Sequence, residues 1–396
     1  MRTASPPPVH RDWMPSTAVA AAILGGLSLR VIVAFWNGYF GPSYGAELDA
    51  LTFHLEAAAQ SKNAATFELQ VGWYYVYVLG IFYTLTTDSL FLGSLMSCLA
   101  WALSAALIAR AMALMSIESR QQTYAMVVFA FLPSSVLLTS VTLREVYQLL
   151  FVNIAFHAAV CLYFNRSPLH WLAIAVSIAL MGALHGALIG YGFFFLAASI
   201  CTISLRAYFR SAISRGTIAV ILVVGVLVAA TELVNRTAYD LSDGVATAVA
   251  KYQFDSLNVD ARTHYKAEED IGEGMSLILG RPLALLQYWF EPMPWRISAA
   301  ADLELMLENL LRAWLIWRAM FALRRTSNPA HGAVVLTFIS YLALELIWSL
   351  GSVNWGSAAR HHIPSVGLLV VAAAACARVR WIRRAAPGSF SRSGAR

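Results

Sequence analysis

Residues 89–112 read SLFLGSLMSCLAWALSAALIARAM, and no formal charge occurs in this stretch until Arg110. An apolar run of about 17–25 residues is long enough to cross roughly 30 Å of hydrocarbon as an α-helix. Strands of an open sheet would leave unpaired backbone groups in lipid, whereas a helix pairs them internally. The stretch therefore predicts a transmembrane helix that ends at an arginine.

Nine further stretches have the same character, so the sequence predicts ten transmembrane helices. They lie near residues 16–36, 121–139, 143–164, 168–184, 188–206, 216–234, 302–323, 331–350 and 363–381. Hydrophobic residues make up 59% of the 396-residue chain and charged residues 13%, against about 45–50% and 25% in soluble domains. The predicted fold class is all-α, a polytopic membrane protein forming one integral membrane domain over residues 1–396.

The arginines predict how the helices are oriented, because short cytoplasmic loops are enriched in Lys and Arg. Ten spans place every arginine cluster on the cytoplasmic side, together with both termini. The clusters are Arg2 and Arg11, Arg110 and Arg120, Arg166, the group from Arg206 to Arg215, Arg324 and Arg325, and the tail after Arg378. The net charge of +6 then favours anionic lipid headgroups as partners, and not nucleic acid.

Two segments carry the polar content on the opposite, outer side. The first is residues 37–88, in which the tyrosine-rich stretch 72–86 (GWYYVYVLGIFYTLT) is predicted to be an interfacial or re-entrant helix. The alternative, in which 72–86 spans the membrane, would move Arg110 and Arg120 to the wrong side. The second is residues 235–300, acidic at first and then apolar through RPLALLQYWFEPMPW (281–295), whose three prolines favour a segment lying along the outer surface.

The first candidate constellation is ELDALTFH, residues 47–54, just beyond the first span. Asp49 in an outer segment is suited to act as a general base for an incoming hydroxyl. Glu47 is its competitor, and His54 is better placed to orient substrate. The alternative is that Asp49 caps a helix, since an aspartate at a helix start accepts hydrogen bonds from free backbone N–H groups.

The second constellation is Arg144 and Glu145, which interrupt the apolar stretch FLPSSVLLTSVTLREVYQLLF (131–151). A charged pair at membrane depth is costly and is usually paired or functional. The planar guanidinium of Arg144 can bind two phosphate oxygens at once. The alternative is an interfacial pair whose head groups reach towards water.

The third constellation is GSVNWGSAARHHIPS, residues 351–365. Arg360, His361 and His362 together are able to hold an anion and relay a proton. Histidine pairs also bind metals, but adjacent histidines rarely converge on one ion, so a metal site is the less favoured alternative and no cofactor is expected. A solvated loop is the alternative.

Other polar residues are predicted near the outer ends of spans, and their shared depth predicts a polar cavity that opens outward. Glu308 and Arg312 are four residues apart on one helical face and are predicted to form a structural ion pair. The hypothesis also places Arg144 and Arg360 at one cavity. The residues concerned are Arg30, His185, Glu232, Glu304, Glu308, Arg312 and Glu345.

The order of these elements resembles the GT-C superfamily of integral-membrane glycosyltransferases. The resemblance rests on ELDALTFH (47–54), on GWYYVYVLGIFYTLTTDSLFLGSL (72–95) and on LPSSVLLTSVTLRE (132–145). The later segments, 281–295, 308–317 and 354–365, look more like bacterial polysaccharide polymerases. In the second motif, Arg144 precedes a single Glu145 where oligosaccharyltransferases have an acidic pair, and a C-terminal soluble domain is not expected.

The resemblance implies an inverting glycosyltransferase that uses a polyprenyl-pyrophosphate-linked oligosaccharide at the outer face of a bacterial inner membrane. It implies catalytic roles for Asp49 and Glu145. Membrane lipids and other glycan-assembly proteins are the expected partners. The residues expected to bind substrate are Arg30, Glu47, His54, Arg144, His185, Arg360, His361 and His362.

Two other classes of function remain open. A transporter or flippase for a lipid-linked glycan would also use intramembrane arginines, although the sequence shows no inverted repeat. A non-catalytic subunit of a glycan-assembly complex is the third possibility.

Overall fold

A computed structural model describes residues 15–41, 46–62, 73–165, 167, 169–208, 263, 282–324 and 330–376. Every regular element in these ranges is a helix. The helices are α1 (Thr17–Phe40), α2 (Glu47–Lys62), α3 (Tyr74–Leu85), α4 (Leu90–Leu114), α5 (Ser119–Phe131), α6 (Pro133–Leu138), α7 (Glu145–Asn165), α8 (Leu169–Leu184), α9 (Ala187–Tyr208), α10 (Pro282–Phe290), α11 (Ala300–Leu323), α12 (His331–Gly351), α13 (Trp355–His361) and α14 (Ile363–Ala374). A 3₁₀ turn, Pro294–Arg296, follows α10.

Four helices are long and apolar enough to cross a membrane. They are Thr17–Phe40, Leu90–Leu114, Glu145–Phe164 and His331–Gly351. The all-α prediction is confirmed for the part of the chain that the structure describes, and these helices fit a membrane protein. Ten spans are not shown, and the predicted span 216–234 lies outside the described residues.

Large apolar side chains on the outside of the bundle fit a lipid environment. On α1, Leu24, Ile32 and Trp36 are each more than 60% exposed, and α11 exposes a row of leucines and tryptophans (Leu303, Leu307, Leu310, Trp314 and Trp317). Contiguous apolar surface of this kind is unusual on soluble monomers and marks contact with a partner or a membrane. By contrast, α7 is mostly buried, packed between α4, α8 and α14.

The tyrosine-rich stretch forms α3, a helix of 12 residues. At 1.5 Å per residue it is roughly 18 Å long, too short to cross the hydrocarbon layer. It packs along α2, with the Phe53 and Tyr75 rings 5.4 Å apart. The predicted short helix is therefore present, and α2 and α3 form a pair between α1 and α4 in the chain.

The predicted third span, 121–139, is not one continuous helix, and this correction has a local cause. The helix stops at Leu132 and restarts as α6 with Pro133 in its first turn. Proline has no N–H to donate, and its ring clashes with the carbonyl of the preceding turn. The break separates Ser134 N–H from the carbonyl of Ala130, its partner in an unbroken helix.

Two buried charged side chains from other helices form hydrogen bonds with the backbone groups that lose their helical partners at the break. The Glu308 carboxylate of α11 accepts hydrogen bonds from Ser134 N (2.7 Å) and Ser134 Oγ (2.5 Å). The Arg30 guanidinium of α1 donates from Nη1 to the Ala130 carbonyl (2.7 Å) and from Nε to Thr139 Oγ1 (2.7 Å). The predicted Glu308–Arg312 ion pair is thus replaced, within the described residues, by a capping contact between Glu308 and α6.

Arg30 is fully buried, and its environment is structural. Further donors go to the Gly26 carbonyl (3.1 Å) and Ser135 Oγ (3.1 Å), while the guanidinium carbon lies 3.7 Å from the centre of the Trp101 ring. These hydrogen bonds hold the broken helix against α1, and the bond to the Ala130 carbonyl replaces one that the helix ladder loses at the break.

We expect Arg30→Met to lower the free energy of unfolding by about 2–4 kcal/mol, because it leaves the buried Ala130 carbonyl and two hydroxyl groups without a donor. Arg110→Met, which removes an exposed arginine from α4, is the matched control and should change the stability by less than about 0.5 kcal/mol. Thermal unfolding in detergent measures both. Equal stabilities of the two variants would contradict the role given to Arg30.

Candidate functional site

The candidate site begins at the segment between α6 and α7, which positions α2. Thr142 Oγ1 in this segment donates a hydrogen bond to the Ala50 carbonyl of α2 (2.7 Å). On α2, His54 Nδ1 lies 2.8 Å from the hydroxyl of Tyr83 on α3. These two contacts fix α2 by its first and second turns, so the Asp49 side chain next to Ala50 has a defined place.

Asp49 forms an ion pair with Arg360, and 311 residues separate them in the sequence. Nη1 of Arg360 donates to Oδ2 of Asp49. The Asp49 side chain is 49% exposed and that of Arg360 18%, so the carboxylate faces the open side and the guanidinium the protein. Burial lowers the pKa of Arg360 to about 10, and it therefore remains charged at neutral pH.

Helix α13, which carries Arg360, is anchored at its start. Asn354 caps it by accepting a hydrogen bond from Ser357 N (2.7 Å), and Trp355 Nε1 donates to Asp302 Oδ1 of α11 (3.1 Å). Asp302 in turn accepts hydrogen bonds through Oδ2 from the N–H groups of Ser298 and Ala299 at the start of α11. The anchor explains why a helix of seven residues holds Arg360 in place.

Next to Arg360, the rings of His361, Trp348 and His185 contact one another, and they come from three different segments of the chain. The His361 ring stacks on Trp348 of α12 with centroids 4.1 Å apart and planes at 15°. The other neighbour of Trp348 is His185, which stands edge-on at 4.7 Å. Trp348 is the residue that sequence reasoning missed, because a tryptophan near a helix end reads as an ordinary membrane-interface anchor.

Arg144 joins the same cluster from the start of α7. Its Nη1 donates to the Leu184 carbonyl at 3.4 Å, next to His185, and its guanidinium carbon lies 5.8 Å from the Phe53 ring centre on α2. Both Arg144 and Arg360 lie near enough to His361 to lower its pKa. Arg144 and Arg360 therefore both lie in the neighbourhood of His361, and a cavity shared by the two arginines stays a prediction.

The two imidazoles of the cluster are neutral at pH 7. Burial, followed by the charge of Arg144, lowers the pKa of His185 to about 3. Burial and then the charge of Arg360 lower the pKa of His361 far below its usual value. Ser352 Oγ lies 2.9 Å from the Trp348 carbonyl oxygen and 2.7 Å from His361 Nδ1.

His362 faces away from this cluster, although it follows His361 directly. Its Nδ1 lies 2.8 Å from Glu345 Oε2 and its Nε2 3.2 Å from the Tyr288 carbonyl. Glu345 also accepts a hydrogen bond from Trp289 Nε1 (3.0 Å) and one from Ser365. This buried network ties α10, α12 and α14 together, and it uses both ring nitrogens of His362.

Glu145 is the first residue of α7, follows Arg144 directly and is 5% exposed. Its surroundings include the buried Tyr75 and Tyr147, whose ring centres are 5.2 Å apart. Arg30, in contrast, does not join the cluster, because its donors hold the break between α5 and α6. Glu47 is the first residue of α2, but the structure does not describe its side chain. Glu232 lies outside the described residues.

The arrangement combines one exposed carboxylate with two guanidinium groups and two neutral imidazoles. Guanidinium groups that protrude into a partly enclosed site bind planar or tetrahedral oxyanions well. A half-exposed carboxylate in contact with such a site is able to accept a proton from a ligand hydroxyl. Among the described residues, no three His, Cys, Asp or Glu side chains converge to hold a metal ion.

Comparisons with known proteins provide no relative for this chain: no protein-family model, curated protein or solved structure matches it. The chemistry of the cluster is therefore the basis for the function proposed below.

We expect acid to destabilise the protein through His185 and His361. Their pKa values are lowered in the folded state, so below about pH 6.5 the unfolded chain binds protons that the folded chain does not. Stability is then complete above pH 6.5 and falls as the pH drops, by at most about 1.4 kcal/mol per pH unit for each histidine. Thermal unfolding between pH 7.5 and 5 should show a shallower slope for His185→Gln and His361→Gln than for the wild type. Parallel curves would contradict the assignment.

Proposed function

We propose that this protein is a membrane glycosyltransferase that transfers sugar from a polyprenyl-phosphate- or pyrophosphate-linked donor to an acceptor hydroxyl. The observation that carries the proposal is the contact between Asp49 and Arg360 beside Arg144 and His361. One proton-accepting group and one oxyanion-binding group are what such a transfer requires at a single site.

Each residue has a role that follows from its charge. Arg360 and Arg144 bind the phosphate oxygens and stabilise the negative charge that develops on the leaving group. As the acceptor oxygen bonds to the anomeric carbon, the bond from that carbon to the phosphate oxygen breaks and the phosphate leaves with the electron pair. Asp49 takes the hydroxyl proton, and a single displacement inverts the anomeric configuration. His185, His361 and His54 orient the sugar and phosphate.

The ion pair also suggests how the donor prepares the base. In the structure, Arg360 is bound to Asp49, and an arginine-bound carboxylate is a weaker base because the cation favours its charged form. A phosphate that binds Arg360 competes with Asp49 for the same N–H groups. Donor binding therefore frees the carboxylate for the acceptor hydroxyl.

The membrane setting fits a donor that is itself a lipid. Sugar nucleotides are not found outside the cytoplasm, so a transferase on the outer face depends on a lipid carrier. The proposal includes ten spans, both termini in the cytoplasm and the Asp49 site on the outer side of a bacterial inner membrane. Polymerisation of surface-polysaccharide repeat units, alongside other glycan-assembly proteins, is the favoured reaction.

We expect Asp49→Asn to lower turnover by about 10²–10⁴-fold, the usual range for removal of a general base, without loss of folding. Asparagine has the same size and still accepts a hydrogen bond from Arg360. Purified protein incubated with a lipid-pyrophosphate-linked oligosaccharide should yield a ladder of products, and the ladder should disappear in this variant. Arg360→Ala should weaken binding of the lipid pyrophosphate as well as turnover.

The matched control is Glu56→Gln, which removes an exposed carboxylate from the same helix and should leave turnover unchanged. Glu47→Gln and Glu145→Gln test the competing bases. If Asp49→Asn assembles glycan at a near-normal rate while either of these abolishes assembly, the base is assigned wrongly. If the wild type forms no product from any lipid-linked donor, the glycosyltransferase proposal fails.

The proposed topology predicts opposite labelling of two exposed positions. In a background without the four native cysteines, Leu48→Cys on α2 should react with a membrane-impermeant thiol reagent applied from outside. Ser119→Cys at the start of α5 should react only after permeabilisation, because it lies between the cytoplasmic Arg110 and Arg120. Outside labelling of Ser119→Cys would reverse the proposed orientation.

A further inference from the structure

A groove between α5 and α11 opens on the outside of the bundle, and a polar contact between the two helices marks one end of it. The volume of the groove is about 340 Å³. Apolar side chains of both helices line it, namely Val127, Phe131, Leu307 and Leu311. Arg318 Nη2, near the end of α11, donates a hydrogen bond to Gln121 Oε1 near the start of α5 (2.7 Å). The two helices therefore run antiparallel along the groove.

Both helices have the same order of side chains along the groove. Arg120 of α5 and Arg318 of α11 lie at its polar end. From each arginine, an aromatic residue follows one turn further along the helix, and two apolar residues follow it. These residues are Tyr124, Val127 and Phe131 on α5, and Trp314, Leu311 and Leu307 on α11. Spacings of three and four residues keep each set on one face of its helix.

The neighbouring aromatic side chains hold both guanidinium groups in place. Arg120 Nε donates to the Tyr124 hydroxyl (3.0 Å), and the guanidinium carbon of Arg318 lies 4.9 Å from the centre of the Trp314 ring. A guanidinium group has five N–H donors, and the hydrogen bonds to Tyr124 and Gln121 use one donor of each arginine. Neither arginine forms a salt bridge with another described residue, so most of their donors are available to a ligand.

The arginine end of the groove is positive, and the carboxylates that line the groove lie at its other end. Glu118, exposed before the start of α5, is one carboxylate close in sequence to Arg120. Glu304 and Glu308 line the groove, but they are 14 and 10 residues from Arg318 on α11. At 1.5 Å per residue these separations are about 21 and 15 Å along the helix. An anion at the arginines is therefore far from both.

We propose that this groove binds an anionic phospholipid, whose headgroup contains a phosphodiester and no amine. The phosphate binds Arg318 and Arg120, and one acyl chain lies along Val127, Leu311 and Phe131. Leu311 is about 10 Å from Arg318 along the helix, and half of the hydrocarbon layer is about 15 Å thick, so the chain runs from the phosphate towards the membrane centre. The site contains no residue of the proposed glycosyl-transfer site and does not depend on that function.

The charge of the headgroup decides which phospholipid fits. The planar guanidinium group binds two phosphate oxygens at once, and basic pockets between transmembrane helices bind anionic headgroups. The ammonium of phosphatidylethanolamine and the trimethylammonium of phosphatidylcholine would bring a further positive charge beside Arg120 and Arg318. Phosphatidylglycerol has the same phosphate without that charge. The groove should therefore distinguish phospholipids that carry identical chains.

Native mass spectrometry of the full-length protein tests the proposal. The purified protein is offered an equimolar mixture of phosphatidylglycerol, phosphatidylethanolamine and phosphatidylcholine with identical chains. We expect phosphatidylglycerol to be retained at least about 5-fold more than either other lipid, the effect of one arginine near an anionic headgroup. Equal retention of the three lipids, or preferential retention of a zwitterionic one, would overturn the proposal.

Variants test the phosphate and the chain separately. Arg318→Gln and Arg120→Gln should each reduce the preference for phosphatidylglycerol to less than about 2-fold. Since Arg120 is exposed, its variant decides the outcome even if Arg318→Gln does not fold. Val127→Trp fills the groove without a change of charge and should lower the retention of phosphatidylglycerol by at least about 2-fold, and unchanged retention would refute the position of the chain.

The matched control is Arg110→Gln, which removes an exposed arginine from the end of α4 and should keep the preference of the wild type. If the preference persists in both Arg318→Gln and Arg120→Gln, the phosphate is placed wrongly. If Arg110→Gln loses the preference to the same extent as these variants, general surface charge accounts for lipid retention and the proposed site is refuted.

Discussion

The break in the third predicted span is the constraint on which the rest of the described structure depends. Pro133 prevents a continuous helix, and the break leaves the Ala130 carbonyl and the Ser134 N–H without their helical partners. In an apolar environment each unpaired group of this kind costs several kcal/mol. Arg30 of α1 and Glu308 of α11 supply the missing partners. These hydrogen bonds hold α1 and α11 against the break at which α6 begins.

The repaired break leads directly to the candidate site. Arg30 Nε also binds Thr139, the residue at which α6 ends, and three residues further Thr142 binds the Ala50 carbonyl. Asp49 is the neighbour of Ala50, and Arg144 follows Thr142 by two residues. A proline in one helix therefore fixes the positions of both the proposed base and one of the proposed phosphate-binding arginines.

Buried charges in this protein serve three distinct purposes. Arg30 and Glu308 complete a helix, while Glu345 and His362 connect α10, α12 and α14 in a network whose polar atoms are engaged. The Asp49–Arg360 pair differs from both, because its carboxylate is half exposed. A ligand can reach this carboxylate, and that accessibility is the physical reason for the function proposed for the pair.

The helical membrane class of the molecule and the shortness of α3 follow from local sequence patterns. Long apolar runs between arginines specify helices because lipid cannot satisfy an open backbone. The local motifs were also visible, since Asp49, Arg144 and Arg360 stand out wherever charge is rare. Even the break at Pro133 has a local signal, although the apolar character of 121–139 predicts one span.

Which of these charges meet depends on how the helices pack. Periodicity indicates that a side chain faces inward but not which helix lies opposite, so nothing in the sequence paired Asp49 with a residue 311 positions away. For the same reason the sequence assigns Arg30 to substrate binding, whereas its partners lie on α5 and α6, and it pairs Glu308 with Arg312 on its own helix. His361 and His362 are adjacent in sequence, yet their environments differ because α13 ends between them and directs the two rings to different neighbours.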